Sequence, residues 1–124
     1  NLNAADAVKA RLADSLASDY YPAAMLHSAL AFAEQGVMPL HEAVKLVSQN
    51  PAKALNLSNR GQIRVGYRAD LAFVDTSGTG SSAISRANGD ATAASRPRVH
   101  GTMRNGRPIY WDKRMAQLTD SIAA

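Results

Sequence analysis

The chain has 124 residues, 46% of them hydrophobic, no cysteine and a formal net charge of +4. That length can bury one core but is short for a complete (β/α) barrel enzyme of about 250 residues. The composition excludes a wholly disordered chain, a disulfide framework, a thiolate metal site and a thiol nucleophile. No apolar run approaches the roughly 18 residues of a membrane span, and no charged-then-apolar signal opens the chain, so a soluble, cytoplasmic protein is expected. The sequence starts Asn-Leu-Asn without an initiator Met, which leaves room for residues upstream.

In chain order, residues 3–13 combine good helix formers with Ala7, Val8 and Leu12 on one face, and Asn3 is placed to cap them. Ser15 to Asp19 is small and mostly uncharged, the pattern of a short strand buried on both faces. Tyr20, Tyr21 and Pro22 break it, and Pro22 opens a helix over 23–35 that carries Ala24, Leu26, Leu30 and Phe32. Gly36 is its C-terminal stop. A further helix is expected over Met38–Val47, and Asn50-Pro51 starts one more helical turn with Asn50 as its cap.

Beyond residue 59 the period changes. Gly61–Gly66 alternates apolar and polar residues as a short strand would, and Ala69–Asp75 reads as a buried strand. Residues 76–95 are mostly Ser, Thr, Gly and Ala, which predicts a flexible surface loop. Arg98–Met103 and Pro108–Trp111 flank Asn105-Gly106, a strong hairpin signal because both residues tolerate positive φ. The tail from Asp112 reads as weakly helical.

Charge is unevenly spread. Residues 1–59 carry four Lys or Arg against five acids, and residues 60–124 carry ten against five. The arginines are scattered over turns and strands, so a solvated basic face is the plainer reading and contact with a phosphate-bearing partner the alternative. Aromatic residues are only 6%, too few to interleave a nucleic-acid surface.

Chemistry-bearing motifs are sparse. The sequence has no H-x-H, no H-E-x-x-H, no Gly-rich phosphate loop and no G-x-S-x-G elbow. His27, His41 and His100 read as structural or surface residues, and Ser18 has no histidine placed for a triad. Asp19 stands apart: it ends an apolar segment and opens a turn with two tyrosines, where catalytic groups of α/β barrels collect. A carboxylate there can ligate a divalent metal or accept a proton from water. On composition alone, capping the following helix is the plainer role.

Three segments resemble the C-terminal end of an amidohydrolase-superfamily enzyme. Asn50-Pro51-Ala52-Lys53-Ala54-Leu55-Asn56-Leu57 resembles the helix that leaves the barrel. Gly61-x-Ile63-x-x-Gly66-x-x-Ala69-Asp70-Leu71-x-x-Val74-Asp75 resembles the return into the small β domain, and Val99 through Tyr110 that domain's last hairpin. Leu16-Ala17-Ser18-Asp19-Tyr20-Tyr21-Pro22 is similar to the diphosphatase branch that releases pyrophosphate from a ribose methylphosphonate triphosphate in phosphonate breakdown.

The resemblance implies an α/β fold: residues 1–59 as the last strand and helices of a TIM-type barrel, 60–111 as part of a small β-sandwich domain, and 112–124 as a tail. It implies that Asp19 closes the last barrel strand, binds a divalent metal (zinc is the expectation) and acts as general base. Tyr20 and Tyr21 are candidates for orienting a phosphorylated small molecule, with packing against neighbouring loops the plainer role. The superfamily's other ligands are an H-x-H pair, a bridging Lys or Glu and two further histidines. They have no counterpart here and are expected in an N-terminal part of the same protein. The fragment is therefore expected to be inactive alone, and poorly stable or self-associating. No nucleic-acid or membrane partner is implied; homo-oligomerisation stays open. Two other readings remain: an amidohydrolase acting as cyclic amidase or deaminase, and a small basic binding module without catalysis.

Overall fold

A shallow apolar layer under four short helices and a three-stranded sheet capped by a fifth helix make up the chain. The computed structural model describes residues 3–76 and 97–123. The elements are α1 (Ala4–Lys9), α2 (Ala23–Glu34), α3 (Leu40–Lys45), α4 (Gln49–Ala54), β1 (Leu71–Asp75), β2 (Arg98–Arg104), β3 (Arg107–Trp111) and α5 (Lys113–Ala123). Val8 of α1, Ala29 and Phe32 of α2, and Ala43 and Leu46 of the α3 region form the helical core. Leu16, Val37, Met38 and Val47 pack around it.

The helix ends follow local rules. Asn3 Oδ1 accepts the Asp6 N–H at 2.9 Å, satisfying a donor that the first turn leaves free. At the end of α2, Val37 N–H donates to Phe32 O and Gly36 N–H to Ala33 O, with Gly36 at φ +68°. Only a left-handed residue closes this pair of bonds, and glycine has no Cβ to oppose it. Helix α1 is shorter than expected. Arg11 turns left-handed at φ +57°, which lets Ala13 and Leu16 fold back onto the core.

Three other expectations fail for tertiary reasons. Ser15–Asp19 forms no strand; Leu16 N–H donates instead to Leu46 O at 2.9 Å. A strand needs a neighbour to complete its ladder, and no described strand lies beside it. Gly61–Gly66 is likewise turn rather than strand, leaving Ile63 91% and Val65 100% exposed. Asn50 does not cap α4, which begins one residue earlier at Gln49; its Nδ2 donates to Asp14 O at 2.6 Å and ties α4 to the segment after α1. Pro51 then falls within the first turn, where an N–H would have no intrahelical acceptor.

The sheet is antiparallel in the order β1-β2-β3. Asn105 and Gly106 make the expected hairpin turn at φ +52° and +77°, closing on the pair Arg104–Arg107. Two irregularities follow. Phe73 pairs with Gly101 and Val74 with Val99, so His100 is the extra residue of a bulge in β2. Thr102 pairs with Tyr110 and Met103 with Pro108, so Ile109 bulges from β3. A bulge increases local twist and re-aims the side chain it carries. The Trp111 ring lies over Gly101, where a Cβ would run into it, and meets Phe73 edge-on at 5.4 Å between centroids.

The tail from Asp112 is helical, as expected, over Lys113–Ala123. Asp112 starts α5 by accepting the Met115 N–H on Oδ1 at 3.0 Å. Met115 and Leu118 of α5 and Phe73 and Val74 of β1 line a common cavity. The loop expected over 76–95 lies, from residue 77 onward, outside the described residues. Among the described residues the fold is thus a small α/β arrangement whose only sheet is antiparallel.

Candidate functional site

Asp19 sits in the turn that leads into α2, at φ +52°. Aspartate enters this left-handed region more readily than most residues because its short polar side chain can bond locally. Tyr21 N–H donates to Ser18 O at 3.0 Å, which closes the turn around Asp19 and Tyr20. Asp19 does not cap α2: that helix is capped by Pro22 without a side-chain bond, and Tyr21 O accepts the Ala24 N–H. The Asp19 carboxylate is exposed, and among the described residues it has no hydrogen-bond or ion-pair partner. It is a hard oxygen donor that bonds no other group among the described residues. The adjacent Tyr20 is 89% exposed and Tyr21 59% exposed.

The donors needed to complete a metal site do not gather there. Among the described residues no group of three or more His, Cys, Asp or Glu could hold an ion. His41 is exposed beside Glu42, with Nε2 3.4 Å from Oε1. His27 lies half-buried on α2, and His100 is buried in the sheet. Asp19 offers a single carboxylate, and the described residues alone do not fit a divalent ion.

Among the described residues, five arginines of the second half have a charged or aromatic partner. Arg60 and Arg68 approach Asp70 at 3.8 and 3.5 Å, Arg98 approaches Asp112 at 3.6 Å, and Arg114 approaches Asp75 at 3.2 Å. Arg64 lies over the Tyr67 ring at 5.6 Å. The Asn105 N–H, followed by the nearby arginines, holds the Asp70 carboxyl below the usual aspartate range. Arginines committed to such pairs weaken the reading of a free basic binding face. Lys53, Arg60, Gln49, Gln62 and Tyr67 do border one open cavity of about 370 Å³.

One cluster was not singled out from the sequence. His100 Nδ1 lies 2.5 Å from Asp112 Oδ2, and Nε2 lies 3.5 Å from Asp75 Oδ2. Regular hairpin counting from Asn105-Gly106 places residue 100 opposite 111; the Ile109 bulge moves the pairing by one and brings 112 instead.

The motifs and this geometry gain their context from relatives. The amidohydrolase family model matches residues 3–110. The chain belongs to the amidohydrolase family. This amidohydrolase chain is 48% identical over 73 residues to the alpha-D-ribose 1-methylphosphonate 5-triphosphate diphosphatase of Escherichia coli (strain K12), covering 57% of this chain and 19% of the relative. It is 40% identical over 47 residues to a dihydroorotase of Methanosphaera stadtmanae, covering 38% of this chain and 11% of the relative. The matched stretches thus span a fifth or less of these curated relatives. No solved structure matches this amidohydrolase chain. Among the described residues no helix is long and apolar enough to cross a membrane.

Proposed function

We propose that this chain is the C-terminal portion of a metal-dependent amidohydrolase that releases pyrophosphate from a ribose methylphosphonate triphosphate. The 48% identity to the Escherichia coli diphosphatase carries the substrate reading. The spare, exposed carboxylate of Asp19 supports the chemical one. In this reading Asp19 gives one oxygen ligand to a divalent ion, zinc in the first instance, and accepts the proton of the attacking water. Residues outside this chain complete the ligand set, as the lone donor at Asp19 requires. They also cover the exposed Ile63 and Val65, whose alternating pattern suits a strand once a neighbour pairs with it. Tyr20 and Tyr21 flank the phosphorylated substrate.

A second reading, ring opening of a cyclic amide, is favoured by the likeness to dihydroorotase. The test is direct. The complete polypeptide carrying this chain is incubated with zinc and either a ribose methylphosphonate triphosphate or dihydroorotate. Pyrophosphate release from the first, with no turnover of the second, is the expected result. Ring opening without pyrophosphate release would replace the diphosphatase reading with the amidase one.

A further inference from the structure

Asn105-Gly106 makes the hairpin turn and also carries the parts of a reaction with itself. A side-chain carboxamide followed by glycine is open to attack by the glycine's backbone nitrogen, because no side chain crowds the approach. The Gly106 nitrogen loses its proton and bonds to the Asn105 side-chain carbonyl carbon. The side-chain nitrogen leaves as ammonia, and a cyclic imide remains. Water then opens the ring at either carbonyl, leaving isoaspartate or aspartate at position 105. Both residues are exposed, so solvent reaches them. Among the described residues the Asn105 side-chain amide has no hydrogen-bond partner, so the carbon under attack is free.

The attacking nitrogen is held instead. Gly106 N–H donates to Ala69 O at 2.9 Å, and Asn105 N–H donates to Asp70 Oδ1 at 2.7 Å. These bonds pin the peptide planes on either side of Asn105, with φ +52° at Asn105 and +77° at Gly106. Attack needs the plane after Asn105 to swing toward its own side chain, and it needs the proton that Ala69 O engages. The pairing of Leu71 with Met103 brings residues 69 and 70 alongside the turn, while Arg60 and Arg68 hold the Asp70 carboxylate from the other side. We propose that Asn105-Gly106 is a self-modification site kept closed by Ala69 and Asp70, and that its opening is recorded irreversibly as isoaspartate. The rate then follows the fraction of molecules in which the two bonds are open. Isoaspartate runs the main chain through the side-chain carbon, which lengthens the turn and removes the two-residue geometry that matches the strands. It also leaves a new carboxylate beside Asp70, and like charges oppose the return of that contact. A hairpin that has reacted does not seat again on the segment entering β1.

The complete polypeptide carrying this chain is held in mildly alkaline buffer, and isoaspartate at 105 is followed by peptide mapping. In the folded wild type it should form about tenfold or more slowly than in the same polypeptide unfolded in urea. Asp70→Asn replaces a charged acceptor by a weaker neutral one of the same shape. Folded, this variant should react about fivefold or more faster than the folded wild type, with unchanged circular dichroism. In urea the two should react at the same rate. If Asp70→Asn does not fold, the contrast between folded and unfolded wild type decides. Equal rates in folded and unfolded wild type would overturn the proposal, as would a folded Asp70→Asn that reacts no faster than the wild type.

Discussion

The Asn105 backbone N–H donates to Asp70 Oδ1 at 2.7 Å, so the turn of the hairpin is tied to the segment entering β1, 35 residues earlier in the chain. Gly106 N–H adds a bond to Ala69 O at 2.9 Å. Together they anchor the turn of the β2–β3 hairpin to the segment that follows the helices, and Arg60 and Arg68 close round the same carboxylate.

Asp70 makes stability fall in acid. Its folded pKa is depressed, chiefly by the Asn105 N–H, so its contribution is complete above the unfolded aspartate value of about 3.9 and is lost as pH falls through the folded value. Asp70→Asn should lower the melting temperature at pH 7 and flatten its decline below about pH 4. Thermal melts from pH 3 to 7 test this; parallel wild-type and variant curves would refute it.

Gly101 lies where the Trp111 ring approaches the backbone too closely for a side chain. Gly101→Ala should cost about 1–3 kcal/mol through overpacking. Trp111→Leu in the same chain should recover part of the loss, giving a coupling energy in a double-mutant cycle. Urea unfolding followed by circular dichroism measures both.

The helical core rests on few large side chains. Phe32 is 6% exposed and Leu12 is 73% exposed. Phe32→Ala should cost about 3–5 kcal/mol, whereas Leu12→Ala should stay within about 0.5 kcal/mol. Similar losses at the two positions would show that Phe32 is not part of the stabilising core.

Asp19 separates a chemical from a structural role. Glycine relieves a positive φ, so Asp19→Gly should leave the fold as stable or more so, and Asp19→Asn should be close to neutral. In the complete polypeptide both should lower turnover by about a hundredfold or more, the usual effect of removing a general base. Unchanged turnover in Asp19→Asn would exclude the carboxylate from the chemistry.

Some positions were legible because their cause is local. The Asn3 cap, the Gly36 stop, the Pro22-led helix and the Asn105-Gly106 turn each depend on bonds within about five residues. The amidohydrolase motifs were legible for a different reason: residue identity at fixed spacing survives even where the local structure is not a strand. Ser15–Asp19 and Gly61–Gly66 misled because alternation and apolarity describe a segment fit for a sheet, while a strand also needs a partner. Asn50 misled because a cap and a long-range donor use the same side-chain amide.

By itself, then, the sequence determined family membership, the hairpin turn and most of the helical segments, and it drew notice to the acid after residue 18. Tertiary structure alone decided that His100 meets both Asp75 and Asp112, and that Trp111 covers Gly101. Those meetings depend on one extra residue in β2 and one in β3, and each bulge moves the pairing by a full position. Where such a residue is accommodated depends on the packing of the completed sheet against α5, and no window of the sequence contains both sides of that contact.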